Sequence, residues 1–225
     1  MKIVSVILAR GGSKGIKDKN IKPLNGKPLI FFTIEASNKS IVNETWVSTD
    51  HKKIAAVSRE YGANVLRRPD EFATDISTSE EALIHFAKNI DFDIMVFIQP
   101  TSPLIRSEDI NGALNKFIKG KWDSLLTLVR QHNFQWKIED GEVVKPTNYD
   151  FLNRPRRQDH GGYMVENGAF YITTKEAFQK SKCRISGDIT FYEMPPHTYF
   201  ELDEESDIII LENLLERYGE ESVLY

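Results

Sequence analysis

Ile3-Val4-Ser5-Val6-Ile7-Leu8 runs directly into Ala9-Arg10-Gly11-Gly12-Ser13-Lys14-Gly15, with Lys17, Lys19 and Asn20 close behind. Six apolar or small residues in a row predict a buried strand, and the glycines after them predict a loop whose amides converge on an anion. Arg10, Lys14 and Lys19 add positive charge to that loop. A strand that opens into such a loop is built to hold phosphates. No Gly-Lys followed by Ser or Thr stands at Walker spacing, and the Gly-x-Gly-x-x-Gly fingerprint of dinucleotide folds is missing too.

Downstream, strand patterns alternate with helix patterns. Asn25-Gly26 marks a turn, and Pro28 opens a helix to about Lys39 with Leu29, Phe32 and Ala36 on its apolar face. Trp46-Val47-Ser48 reads as a second strand, followed by a helix capped by Asp50 and closed by Gly62. Asn64 to Leu66 is a third short strand. Thr78 and Glu81 form a capping-box pattern for the next helix, and Ile94 to Ile98 has the continuous apolarity of a strand covered on both faces. Gln99-Pro100-Thr101-Ser102-Pro103 follows, then a helix capped by Ser107 and a strand from Leu125 to Val129. This alternation predicts an α/β fold with a doubly wound, mostly parallel sheet, Rossmann-like in layout. Ligands in such sheets bind beyond the carboxyl ends of the strands, where the loops after Leu8, Ser48 and Ile98 lie, so the glycine loop and the Gln99 loop are expected to share one crevice.

From Arg130 the pattern becomes irregular, with Asp140-Gly141 as a hairpin turn, until Gly168 to Ile172 returns to the sheet. Residues 130–166 are therefore expected to form an inserted, β-rich arm within a single domain spanning 1–225. Ile208, Ile209, Leu211 and Leu215 mark a closing helix.

Composition narrows the function. The chain of 225 residues carries 29 basic and 33 acidic residues, a net charge of -4, which argues against nonspecific binding to nucleic acid or to an anionic membrane. Cys183 is the one cysteine, so the chain has neither an internal disulfide nor a thiolate zinc cluster, and a reducing, cytoplasmic setting is expected. The first apolar run is too short for a signal peptide and is interrupted by Arg10. Five scattered histidines lack metal-helix spacing, and there is no Gly-x-Ser-x-Gly elbow.

Glu201-Leu202-Asp203, read as a strand end, places two carboxylates on one face, where they suit one hard cation; magnesium accepts few protein carboxylates and completes its shell with water and phosphate. Arg154, Arg156, Arg157 and Gln158 form a second basic cluster, fit for a carboxylate or a phosphate. Gln99 and Asn167 offer directional hydrogen bonds at strand ends. Asp50 lies near the place of the ribose partner in a dinucleotide-dependent oxidoreductase, which is one alternative; a noncatalytic nucleotide sensor is another.

Leu8-Ala9-Arg10-Gly11-Gly12-Ser13-Lys14-Gly15-Ile16 with Lys19-Asn20 closely resembles the signature of the acylneuraminate cytidylyltransferases. Leu66-Arg67-Arg68-Pro69, Thr78-Ser79, Gln99-Pro100-Thr101-Ser102-Pro103-Leu104, Arg156-Arg157-Gln158 and Asn167-Gly168-Ala169-Phe170-Tyr171 resemble that family's successive blocks, in order. The resemblance implies a nucleotidyltransferase fold, a homodimer formed through the arm, Mg²⁺, and CTP and a nine-carbon 2-keto sugar acid as substrates in cell-surface glycan biosynthesis. It implies catalytic roles for Arg10, Lys19 and Asp203, with Gly11, Ser13, Asn20, Arg68 and Ser79 completing the nucleotide site. Gln99, Asn167 and Arg157 or Arg156 are implied for the sugar acid, and Glu201 and Asp203 for the metal. The family pattern is usually Asp-x-Asp, so Glu201 departs from it. N-acetylneuraminate is the default substrate, with legionaminate, pseudaminate and KDN as relatives, while the eight-carbon KDO enzymes differ in their first loop.

Overall fold

The computed structural model describes residues 1–219. In chain order the strands are β1 (Ile3–Leu8), β2 (Pro23–Leu24), β3 (Lys27–Pro28), β4 (Glu44–Thr49), β5 (Asn64–Arg67), β6 (Ile94–Ile98), β7 (Ser124–Gln131), β8 (Trp136–Glu139), β9 (Val143–Pro146), β10 (Tyr163–Thr174) and β11 (Ile189–Glu193). The helices are α1 (Leu29–Asn38), α2 (Lys52–Glu60), α3 (Ser79–Asn89), α4 (Ser107–Gly120), α5 (Lys175–Ser181) and α6 (Asp207–Tyr218). A seven-stranded sheet in the order β11-β7-β10-β6-β1-β4-β5 forms the centre. β1 pairs in parallel with both β4 and β6, whereas β10 runs antiparallel to β6 and β7. The sheet is thus mostly parallel, as the alternation predicts, with one reversed strand.

β1 explains the layering. Its side chains alternate, so Ile3 and Ile7 join a core with Ile30 and Ile34 of α1, Ile54 of α2 and Ile110 and Leu114 of α4. Val4 and Val6 enter the opposite core, with Leu83 and Phe86 of α3 and Phe178 of α5. Each of these fully buried side chains contributes about 1.5–3 kcal/mol of transfer free energy. Because both faces are covered, β6 can be apolar throughout, and β1 is apolar but for Ser5, whose buried hydroxyl bonds that of Ser37 at 2.7 Å. A third core joins Ile16, Leu24, Leu29, Leu104 and Leu202 to Leu211 and Leu215 of α6, and so anchors the segment around Leu202 beneath the glycine-rich loop.

Three local expectations are corrected. Asp50 does not cap α2: His51 takes the cap position without a side-chain bond, and the Asp50 carboxylate turns back to the loop after β1, where it accepts the Gly11 N–H at 2.8 Å. α4 begins one residue early, with Arg106 at the cap position and its N–H donated to Asp109 at 3.1 Å. Glu201 and Asp203 lie on irregular backbone rather than a strand. The Leu202 N–H between them donates to the Thr101 carbonyl at 2.8 Å, so the two carboxylates emerge from a peptide bridged to the loop after β6. The capping box of α3 forms as expected, with Thr78 and Glu81 bonding reciprocally. So does the 140–141 turn: Asp140 and Gly141 both take positive φ, 50° and 83°, and join β8 to β9 as a separate two-stranded hairpin. Among the described residues no helix is long and apolar enough to cross a membrane.

Candidate active site

The loops after β1 and β6 and the segment before α6 enclose a crevice of about 380 Å³ at the carboxyl end of the sheet. Arg10, Ser13, Lys14, Lys19, Asn20, Gln99, Thr101 and Asp203 line it. The sequence separation of these groups is large, and the parallel sheet brings them together because β1 and β6 are neighbours pointing the same way.

The glycine-rich loop is held from below. Gly12 has φ +66°, a left-handed conformation in which a side chain is strained. Gly11 is close to its neighbours: a Cβ there would lie 3.1 Å from His51 and 3.2 Å from Asp50. The Ala9 N–H donates to the Ser48 carbonyl at 3.1 Å, and the buried Asn20 amide donates to the Arg10 carbonyl at 3.0 Å. Asn20 therefore braces the loop while still lining the crevice.

Arg10, Lys14 and Lys19 each meet a carboxylate. Lys19 donates to Asp203 at 3.1 Å and to the Leu202 carbonyl at 2.9 Å. Arg10 and Lys14 both reach Asp75, at 2.8 and 3.0 Å. Asp203 is itself fixed by Asp207 at the start of α6, whose carboxylate accepts the N–H groups of Asp203 and Glu204 at 2.9 and 2.8 Å.

Glu201 is partly buried behind Asp203 and accepts the Thr101 hydroxyl at 3.1 Å. Burial lifts its carboxyl above the usual range, the Thr101 hydrogen bond opposes this, the Asp203 charge adds to it, and Lys19 pulls it back. A half-buried carboxylate whose charge is disfavoured by burial and by the neighbouring Asp203 is a donor that a divalent cation would relieve. Among the described residues no group of three or more His, Cys, Asp or Glu is arranged for a metal, so a cation here would complete its shell from phosphate and water. Glu201 and Asp203 fit that chemistry.

The other expected residues divide. Arg68 is 4% exposed and donates to the Ser48 hydroxyl and carbonyl at 3.2 and 2.6 Å. Burial pushes its guanidinium down to about 10, with Asp50 opposing the shift and Arg10 adding to it. It thus supports the floor of the loop instead of lining the crevice. Ser79 begins α3, and Gln99 is seated by its N–H to the Ala169 carbonyl at 3.0 Å. Asn167 is 1% exposed, and its amide nitrogen donates to the Thr198 carbonyl and hydroxyl at 3.2 and 3.1 Å. Its side-chain oxygen has no protein partner among the described residues. Arg156 and Arg157 are exposed, and Arg157 lines a second cavity of about 550 Å³ on the arm, with His132, Phe134, Trp136, Tyr149 and Arg154. One chain alone therefore does not bring Arg156 and Arg157 to the crevice.

Sequence reasoning names Lys14 as a charge of the phosphate loop without giving it a role of its own, and it does not place Thr101, Asp75 or Asp207 among the site residues. Lys14 and Thr101 lie within the quoted motifs, while Asp75 and Asp207 sit in ordinary polar stretches that give no sign of their reach.

A mostly parallel sheet whose first loop brings Arg10, Lys14 and Lys19 to a crevice beyond its strand ends defines an α/β protein with a cationic site of the kind that suits phosphate. Its sequence matches the cytidylyltransferase family over residues 4–215, and the chain belongs to that family. It is 39% identical over 219 residues to N-acylneuraminate cytidylyltransferase B of Danio rerio, a match covering 96% of this chain and 52% of the relative. It is 29% identical over 228 residues to post-translational flagellin modification protein B of Campylobacter coli, covering 95% of this chain and 94% of that one. The chain spans about half the length of the N-acylneuraminate cytidylyltransferases it matches. Among solved structures, CMP:2-keto-3-deoxy-manno-octonic acid synthetase complexed with CTP superposes with a TM-score of 0.72 at 17% identity, covering 96% of this chain and 98% of that one. At that identity the likeness establishes the fold.

Proposed function

We propose that the chain activates a nonulosonic acid with CTP, giving the CMP-sugar and pyrophosphate. The observation that carries this reading is the crevice itself, where Arg10, Lys14 and Lys19 line one cavity with Asp203, and Glu201 is bonded to the lining residue Thr101. The names of the relatives favour a nine-carbon acid such as N-acetylneuraminate.

In this reading Arg10 and Lys19 hold the triphosphate with Ser13 beside them, and Gly11, its N–H held by Asp50, keeps the loop close. Asn20, Arg68 and Ser79 shape the rest of the nucleotide site. Mg²⁺, bound by Glu201 and Asp203, would supply charge neutralisation on the phosphates. The anomeric hydroxyl at C2 of the acid attacks the α-phosphorus and gives its proton to water, the new C–O–P linkage forms as the bond from the α-phosphorus to the oxygen bridging to the β-phosphate breaks, and pyrophosphate leaves in line with that oxygen. Such a transfer asks the protein for positioning and for positive charge where negative charge develops, which are what Arg10 and Lys19 offer.

Gln99 and Asn167 are proposed for the sugar acid, Asn167 through its unpartnered oxygen, and Arg157 or Arg156 for the carboxylate. Because Arg157 lines the arm cavity, this requires the arm of one protomer to lie over the crevice of its partner. The arm is suited to that: Trp136, Ile138, Val143, Val144, Phe151 and Leu152 are all exposed, and an isolated two-stranded hairpin is only marginally stable without a cover. An oxidoreductase is disfavoured, since Asp50, the group a dinucleotide ribose would need, is engaged by Gly11. The assay is pyrophosphate release with CTP and Mg²⁺ across neuraminate, legionaminate, pseudaminate, KDN and KDO. No release with any of them overturns the reading.

A further inference from the structure

Asp75 belongs to none of the blocks that mark the crevice, yet it is the group that both Arg10 and Lys14 contact. It sits at the tip of the loop between β5 and α3. The base of that loop is well tied: the Ser77 hydroxyl bonds Thr74 and the Glu71 carbonyl, and Thr78 enters the α3 capping box. The tip is not tied in the same way. Asp75 is exposed, the next residue, Ile76, is 92% exposed, and no hydrogen bond from the loop itself reaches the Asp75 carboxylate among the described residues.

The two carboxylate oxygens divide the two cations. Oδ1 takes Arg10 at 2.8 Å and Oδ2 takes Lys14 at 3.0 Å. An anion with one oxygen on a guanidinium and another on an ammonium presents the same hydrogen-bonding chemistry as a phosphate. Those two hydrogen bonds hold the Asp75 carboxyl below its usual range. A triphosphate in the crevice and Asp75 therefore compete for the same donors.

We propose that Asp75 is a displaceable counter-ion of the triphosphate site, which holds Arg10 and Lys14 together until phosphate oxygens replace it and the tip of the 73–78 loop is released. The inference rests on the nucleotide reading for its ligand, a nucleoside triphosphate, but its physical content concerns any polyphosphate. The expected effect is opposite in sign to that for an ordinary binding residue: removing the charge of Asp75 tightens binding. Since exposed ion pairs are weak individually, the gain expected from freeing two is about three- to tenfold in Kd.

Calorimetric titration of wild type and Asp75→Asn with sodium tripolyphosphate, and separately with CTP, tests this. Tighter binding of tripolyphosphate by Asp75→Asn supports the proposal, and unchanged or weaker binding overturns it. Hydrogen exchange of amides 73–77 in the wild type gives a second readout that needs no variant. Faster exchange with tripolyphosphate supports release of the tip, and unchanged or slower exchange contradicts it. Tripolyphosphate separates this inference from the functional one: if Asp75→Asn binds it more tightly but no acid releases pyrophosphate from CTP, the counter-ion stands and the cytidylyl transfer falls. If pyrophosphate is released but Asp75→Asn binds tripolyphosphate no more tightly, the transfer stands and the counter-ion falls.

Discussion

At the scale of single residues, the site is a set of charges whose values are set by burial and by one another. Glu201 is the clearest case. Its folded pKa lies above the ordinary 4.5, so the folded chain holds that proton more tightly than the unfolded chain does. Stability from this group therefore falls as pH rises from the ordinary value through the folded one. Glu201→Gln removes the penalty, and in EDTA at pH 8 the variant should melt above wild type, with the gap closing below about pH 4.5. In differential scanning calorimetry with Mg²⁺ added, wild type should gain stability and the variant should gain less. A variant that melts lower than wild type at pH 8 in EDTA contradicts the charged, half-buried role given to Glu201.

The same scale shows what residue patterns make legible. Arg10, Lys19, Asn20 and Gln99 are identifiable because they stand in a glycine-rich or proline-bounded loop directly after an apolar run, where the fold rules place ligands. Asp50 reads as a cap because its sequence position, just ahead of a helix, fits a cap equally well. Only the three-dimensional course of the first loop brings the Gly11 N–H to it. Asp75 has no local signal at all, since its partners are Arg10 and Lys14, some sixty positions away in the chain.

At the scale of elements, β1, β4, β6 and the capping box of α3 are legible from apolar runs and turn chemistry, which are local. The reversed direction of β10 is not, because a strand buried among neighbours has the same composition whichever way it runs. The Glu201-Leu202-Asp203 segment has the spacing of a strand, yet Leu202 enters a core with α6 while its N–H bonds the Thr101 loop, which no periodicity encodes. One long-range clamp joins two of these elements. Arg184, between α5 and β11, forms a forked pair with Glu80 of α3 at 2.6 and 2.9 Å and lies over the rings of Phe97 and Tyr171 at 5.0 and 5.1 Å. Arg184→Ala should cost about 1–2 kcal/mol in urea unfolding, through the lost fork and the lost ring contacts. It should also raise hydrogen exchange in the first turn of α3, which carries Ser79. Unchanged stability would show the clamp to be ornamental.

At the scale of the whole molecule, the parallel sheet accounts for how segments near residues 10, 100 and 203 form one crevice. The arm stands outside that logic, with its apolar side chains exposed and its own cavity holding Arg157. If protomers pair through it, light scattering should give twice the 25.8 kDa of one chain, and Trp136→Asp with Leu152→Asp should give the single-chain mass with the melting of the central sheet little changed. A wild type that stays at the single-chain mass at micromolar concentration contradicts the arm's proposed role.

The central claim is cytidylyl transfer at the crevice, and pyrophosphate release measures it most directly. With CTP, Mg²⁺ and N-acetylneuraminate or one of its nine-carbon relatives, the wild type should release pyrophosphate in step with formation of the CMP-sugar. Lys19→Ala should lower that rate by about a hundredfold or more, through loss of a charge on the triphosphate. A wild type that releases none with any of the acids, or a Lys19→Ala variant that keeps the full rate, contradicts cytidylyl transfer at this crevice.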